Sequence, residues 1–215
     1  MNTSQITRRS ETLVLLFRVC FCVAFTAILL LPMAFVSAGE AFDPALGPPP
    51  GSYRILSEDG EVSLPFELFR GDIRFLGEMN GKEVRMLIDN GFIWDQLLFF
   101  GSPRVDSLGM VHDGEVHVGG SGEGDVVPSL SASGITISFP GVEFTDQTAI
   151  ITPHSTGRMW WGAEGQVSAT FFKHFVVAFD FNRKQMTLVR PEEFIYEGDG
   201  VEIPMIPLPN GAWAL

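Results

Sequence analysis

The residues whose types and order could do chemistry lie in the run Val84-Arg85-Met86-Leu87-Ile88-Asp89-Asn90-Gly91. An apolar stretch ends abruptly in a carboxylate and then a turn pair. A carboxylate delivered from a core to the end of a strand suits proton transfer, because its surroundings are fixed and partly dry. The same three residues, Asp89-Asn90-Gly91, also read as a plain tight turn, since Asn-Gly is the commonest type I′ pair. A second candidate is Gly119-Gly120-Ser121-Gly122-Glu123-Gly124, with four glycines in six residues, which predicts a loop or hairpin tip. Ser121 meets the nucleophile-elbow spacing only loosely and lacks a strand-to-helix context, so a serine hydrolase is disfavoured. His112, His117, His154 and His174 are scattered, with no HExxH or HxxxH spacing, and no metal site is expected. Trp160-Trp161 reads as groove lining or as part of the core.

The elements that must position Asp89 are short apolar runs of period two. Glu83 to Ile88 alternates and then turns wholly apolar, as a strand entering a core does. Asn80-Gly81 predicts a hairpin joining it to a strand at 72–79. Further strands are predicted at 114–118, 135–139, 143–152, 175–181 and 185–189, with Asn182-Arg183-Lys184 turning between the last two. Helices are short: 102–108, with Ser102 as N-cap and Pro103 at its first position, and 168–173. The fold class is all-β, barrel-like or a sandwich, with one or two short helices.

Residues 1–38 carry the three parts of a signal peptide. Arg8, Arg9 and Arg18 precede an uncharged run from Val19 to Leu31, and Val36-Ser37-Ala38 offers small residues before a cleavage point. That run is too short to cross a hydrocarbon core comfortably, which takes about 20 apolar residues, so an uncleaved anchor is the lesser alternative. Export to a periplasmic or secreted location is expected. Cleavage would remove three arginines and Glu11, taking the net charge from −12 to −14. Such a balance argues against nucleic acid and anionic membrane surfaces as partners. Both cysteines, Cys20 and Cys22, fall in the signal, so no disulfide framework is expected beyond it. Residues 39–60, with Gly47-Pro48-Pro49-Pro50-Gly51, read as a linker, 61–195 as the β domain, and 196–215 as an extension. Within the extension, Ile203 to Leu208 resembles the entry strand that opens a second lobe in two-lobed proteins, here expected to be incomplete.

Taken in order, Asn80 to Gly91, the glycines of 119–124, and Gly165 to Val189 with Phe175-Val176-Val177-Ala178-Phe179-Asp180-Phe181 resemble a lobe of a retropepsin-like aspartic protease. The likeness runs over roughly residues 62–194 and continues into Arg190-Pro191-Glu192-Glu193-Phe194. It implies a closed β-barrel with Asp89 as the catalytic carboxylate in a loop with Asn90, Gly91 and Phe92. It implies a flap at Gly119, Gly120, Ser121, Gly122 and Gly124 over an extended polypeptide substrate, and no metal or cofactor. A single lobe offers one aspartate, so activity would require a homodimer contributing Asp89 twice. Asn90 stands where the family has Thr or Ser, Phe92 where it has a small residue, and Ile93 where it has a hydroxyl. Val167-Ser168 stands where the family has an apolar residue and Gly. The function implied is an aspartic-type endopeptidase; the alternative is a catalytically inactive domain of the same fold that binds a peptide or envelope partner.

Overall fold

The computed structural model describes residues 51–119, 126–155, 162–169, 171–208 and 213–214. These residues are mostly β, with two short helices. The hairpin predicted at Asn80-Gly81 forms as expected: strand β4 (Asp72–Met79) pairs antiparallel with β5 (Lys82–Ile88). Asn80 and Gly81 both take positive φ, 53° and 72°, as a type I′ turn demands. Helix α1 (Pro103–Asp106) starts where the cap signal puts it, with the Ser102 hydroxyl accepting from the Val105 N–H at 3.2 Å.

Strands not anticipated complete the frame, among them β6 (Leu97–Phe99), β10 (Gly165–Val167) and β1 (Ser52–Ile55). With β7 (His112–Val118), β8 (Val127–Phe139) and β9 (Val142–Ile151), they run in the order β1-β9-β6-β10-β5-β4-β8-β7. Because β8 also pairs with β9, the path β9-β6-β10-β5-β4-β8 returns to itself. Two of its pairings, β10 with β5 and β6 with β9, are parallel. The short β3 (Glu67–Phe69) pairs with β4. A separate three-stranded sheet joins β2 (Glu61–Pro65), β12 (Gln185–Val189) and β11 (Val176–Asp180), and α2 (Phe171–His174) leads into it.

Side chains alternate across these strands, and the inner faces converge on one core. Met86, Phe99 and Ile151 stand level across β5, β6 and β9, with Gly165 of β10 between the first two. Phe99, Phe144 and Phe171 are fully buried there, each worth about 1.5–3 kcal/mol of transfer free energy.

Several boundaries differ from the sequence expectation. The linker set at 39–60 is too long, because Ser52–Ile55 pairs with Thr145 to Val142 as β1; its alternation of Tyr53 and Ile55 toward the core is only four residues long. The strand expected from Ile135 begins at Val127, since Leu130, Ser131 and Ala132 already pair with β9, and the register shifts between Ala132 and Ile135 without ending the strand. The second helix occupies Phe171–His174 rather than 168–173. In the extension, β13 (Ile206–Pro207) pairs with β14 (Trp213–Ala214). Among the described residues that small sheet has no ladder to the others. Among the described residues no helix is long and apolar enough to cross a membrane.

Candidate functional site

Asp89 follows directly on β5, and its backbone N–H donates to the carbonyl of Val167, at 3.1 Å, which ends the parallel β10. The chain then turns: Phe92 N–H returns to the Asp89 carbonyl at 3.3 Å, and Ala169 N–H donates to the Phe92 carbonyl at 2.8 Å. The loop 89–92 is thus stitched at both ends to one neighbouring segment, 167–169. Neither Asn90 nor Gly91 has positive φ. That excludes the type I′ reading of Asp89-Asn90-Gly91, which needs positive φ at both central residues.

Glycine at 91 answers a different need. A Cβ built there would stand 3.2 Å from Asp89 Oδ1, while the Gly91 N–H donates to that same oxygen at 2.9 Å. The missing side chain lets the backbone amide close on the carboxylate. The second oxygen, Oδ2, accepts from the Gln166 side-chain amide, also at 2.9 Å. An ionised carboxylate offers about four lone-pair sites, and the side chain remains half-buried rather than sealed. Among the described residues, two donors hold it and leave further acceptor positions to water or a substrate.

Gln166 was absent from the sequence expectation. Its signal was present nonetheless: one polar residue stands inside Gly165-Gln166-Val167, every residue of which is buried, and a buried amide must find partners. Glu164 fixes the entry to this strand. Its N–H donates to the Arg85 carbonyl at 2.8 Å, and its carboxylate accepts from the Arg85 N–H at 2.6 Å. Arg104 of α1 lies 3.8 Å from the same carboxylate.

Of the other expected loop residues, Asn90 is exposed and Phe92 is half-buried, its ring 5.9 Å from that of Trp94. Gly119 is exposed, and among the described residues a Cβ there would meet only Val126, at 3.6 Å. Strands β7 and β8 pair up to Val118 opposite Val127, so the glycine-rich stretch connects the two arms of a hairpin. Gly120, Ser121, Gly122 and Gly124 themselves lie outside the described residues, as do Trp160 and Trp161.

The histidines stand apart. His112 and His117 are exposed on β7, His154 meets Asp106 at 3.0 Å, and His174 stacks on Tyr53 at 4.2 Å. Among the described residues no group of three or more His, Cys, Asp or Glu is placed to hold a metal ion. A cavity of about 380 Å³ opens beside Tyr53, Asp95, Asp146, Gln147, Thr148 and His174. Burial, and then the Asp95 charge, push the Tyr53 hydroxyl up to about 12. Burial pulls the His174 imidazole below its usual value; Asp95 opposes this, and Lys173 adds to it.

Among solved structures, the chain is similar to the crystal structure of a retropepsin-like aspartic protease from Rickettsia conorii. The identity is 11%, with a TM-score of 0.40, over 64% of this chain and 92% of that one. No protein-family model and no curated protein matches the chain.

Proposed function

We propose that this chain is an exported aspartic-type endopeptidase domain, cutting extended polypeptides with a water held between two Asp89 carboxylates in a homodimer. The observation that carries the reading is the setting of Asp89. It is a half-buried carboxylate at the end of a core strand, its two oxygens held by Gly91 and Gln166, in a turn whose backbone gives no conformational reason for Asn-Gly.

Two such carboxylates facing each other cannot both ionise, so they share one proton. The ionised one takes a proton from the water as its oxygen bonds the peptide carbonyl carbon. The carboxyl of the partner's Asp89 gives its proton to the carbonyl oxygen. The diol then collapses: the Asp89 carboxyl that took the water's proton gives it to the leaving nitrogen as the C–N bond breaks, and the partner's Asp89 carboxylate takes one from a diol hydroxyl, restoring the shared proton. Backbone groups of the β7–β8 pair, and of the glycine-rich stretch that follows β7 in the sequence, pair with an extended substrate as an added strand would.

A second reading is a peptide-binding domain without catalysis. It is favoured by the Phe92–Trp94 aromatic pair in the loop that carries Asp89 and by the absence of a side-chain hydroxyl at 90, 92 and 93. Turnover of an unstructured protein between pH 3 and 8 separates the two. Cleavage peaking at acid pH and abolished by Asp89→Asn, with the β signature in circular dichroism retained, supports the peptidase. Cleavage at the wild-type level in Asp89→Asn rules this mechanism out.

A further inference from the structure

We infer that Gln166 is the positioning residue of this site, an inference that rests on the reading of Asp89 as the reactive carboxylate. Its side-chain amide fixes the Asp89 carboxylate in the one orientation that presents the remaining acceptor positions outward.

The placement follows from strand register. Gln166 stands level with Leu87 on the parallel β5 and with Leu98 on the antiparallel β6, and Leu98 stands level with Ile150 on β9. Residues in register project to the same face of a sheet. Leu87, Gln166, Leu98 and Ile150 therefore form one row across four strands, at 4%, 7%, 8% and 2% exposure. All four lie outside the main core cluster, on the face opposite Met86 and Phe99. Gln166 is the one polar member of that row. An amide in such company is costly unless satisfied, and packing alone would be served by leucine.

Asp89 is two residues beyond Leu87, so its side chain returns to the same face and becomes the diagonal neighbour of Gln166. The amide reaches Oδ2 at 2.9 Å. Phe92 and Ile93 have no side-chain donor to offer, and Gly91 holds only Oδ1. One bond to one oxygen leaves the carboxylate free to pivot about it. Bonds to both oxygens, from a backbone amide of the loop and a buried side chain of a paired strand, leave a single orientation. Well-oriented groups are worth orders of magnitude in rate, and the rigid source here is β10.

The test uses the full chain and two readouts. The first needs no catalysis. The side-chain amide proton and nitrogen resonances of Gln166 are followed from pH 3 to 8 in the wild type and in Asp89→Asn. A titration step in the wild type that vanishes in Asp89→Asn supports the inference. Absence of the step in the wild type overturns it, whatever the activity. The second readout is proteolysis by Gln166→Leu, a substitution the apolar row accommodates. With thermal stability at or above wild type, kcat should fall about tenfold to a hundredfold, the worth of a hydrogen bond to a charged group, while KM stays within about twofold. An unchanged kcat in that folded variant also overturns the inference. A wild type that shows the titration step but cleaves nothing refutes the peptidase and supports the hold of Gln166 on Asp89.

Discussion

Substituting Gly165 by alanine probes the strand on which Gln166 sits. Gly165 lies in β10 between β5 and β6, and a Cβ built there would stand 2.5 Å from the Leu98 carbonyl oxygen, 3.1 Å from Phe99 Cδ1 and 3.2 Å from Met86 Cε. Side-chain tips can yield by a few tenths of an ångström. A carbonyl of a paired strand cannot rotate away, so β10 and β6 must separate by about half an ångström to restore contact distance. Overpacking of this kind costs about 1–3 kcal/mol. Gly165 does not have positive φ, so alanine also returns about 0.4–1 kcal/mol by stiffening the unfolded chain. The net expectation is a loss of about 1–2 kcal/mol, or about 2–8 °C in Tm for a domain of this size. Urea denaturation should show a lower midpoint with an unchanged slope. The same strain on β10 disturbs the 2.9 Å Gln166–Asp89 bond, so the resonance step of Gln166 should change as well. Gly119→Ala is the control: among the described residues its Cβ meets only Val126, at 3.6 Å, and its stability should hold or rise slightly. If Gly165→Ala unfolds at the wild-type midpoint, close packing of β10 against β6 is not what fixes Gln166.

Tyr53, pushed up to about 12, is favoured neutral in the folded state. Its contribution is whole below pH 10 and is lost as pH rises from about 10 toward 12, by at most about 2–3 kcal/mol. Tyr53→Phe should flatten denaturation midpoints over that range, and an equally steep fall in the variant would remove Tyr53 as the cause. Asn90→Thr with Phe92→Ala should tighten a dimer by roughly tenfold to a hundredfold, through a hydroxyl bridging two loops at about 1 kcal/mol per bond. Sedimentation across a concentration series reads it, and a folded variant that stays monomeric and inert argues for the binding domain. Mass spectrometry of exported protein should find Gly39 first; an intact Met1 in the membrane fraction would establish an anchor instead.

Much of the frame was legible because it is local. Asn80-Gly81 fixes its own turn, Ser102-Pro103 caps its own helix, and the period-two runs of β4, β5, β9 and β12 mark their own faces. Asp89 stood out for the same reason, as a charge ending an apolar run. What escaped depends on partners distant in the chain. β10 is three residues long, too short for any period, and exists because Glu164 and Gly165 fit between β5 and β6. Leu97–Phe99 reads as generic apolar sequence until its parallel partner in β9 is known. Gln166 is a lone polar residue in a three-residue run, and its meaning lies in alignment with Leu87. Asn90-Gly91 misled in the opposite direction: a strong local turn pair is overridden by the stitching of 89–92 to 167–169.

The parallel pairing of β5 with β10 has a consequence for how the chain acquires its site. Asp89 and Gln166 are separated by 77 positions, and parallel strands cannot meet through a tight turn. Closing so long a loop costs conformational entropy before any contact offsets it, which makes such pairings late events in folding. Neither a fragment that ends between Asp89 and Gln166 nor one that starts between them contains both residues. During synthesis, Asp89 would emerge long before the amide that holds it. The chain would therefore pass through most of its translation, and any export in an extended state, with Asp89 lacking the amide that holds it.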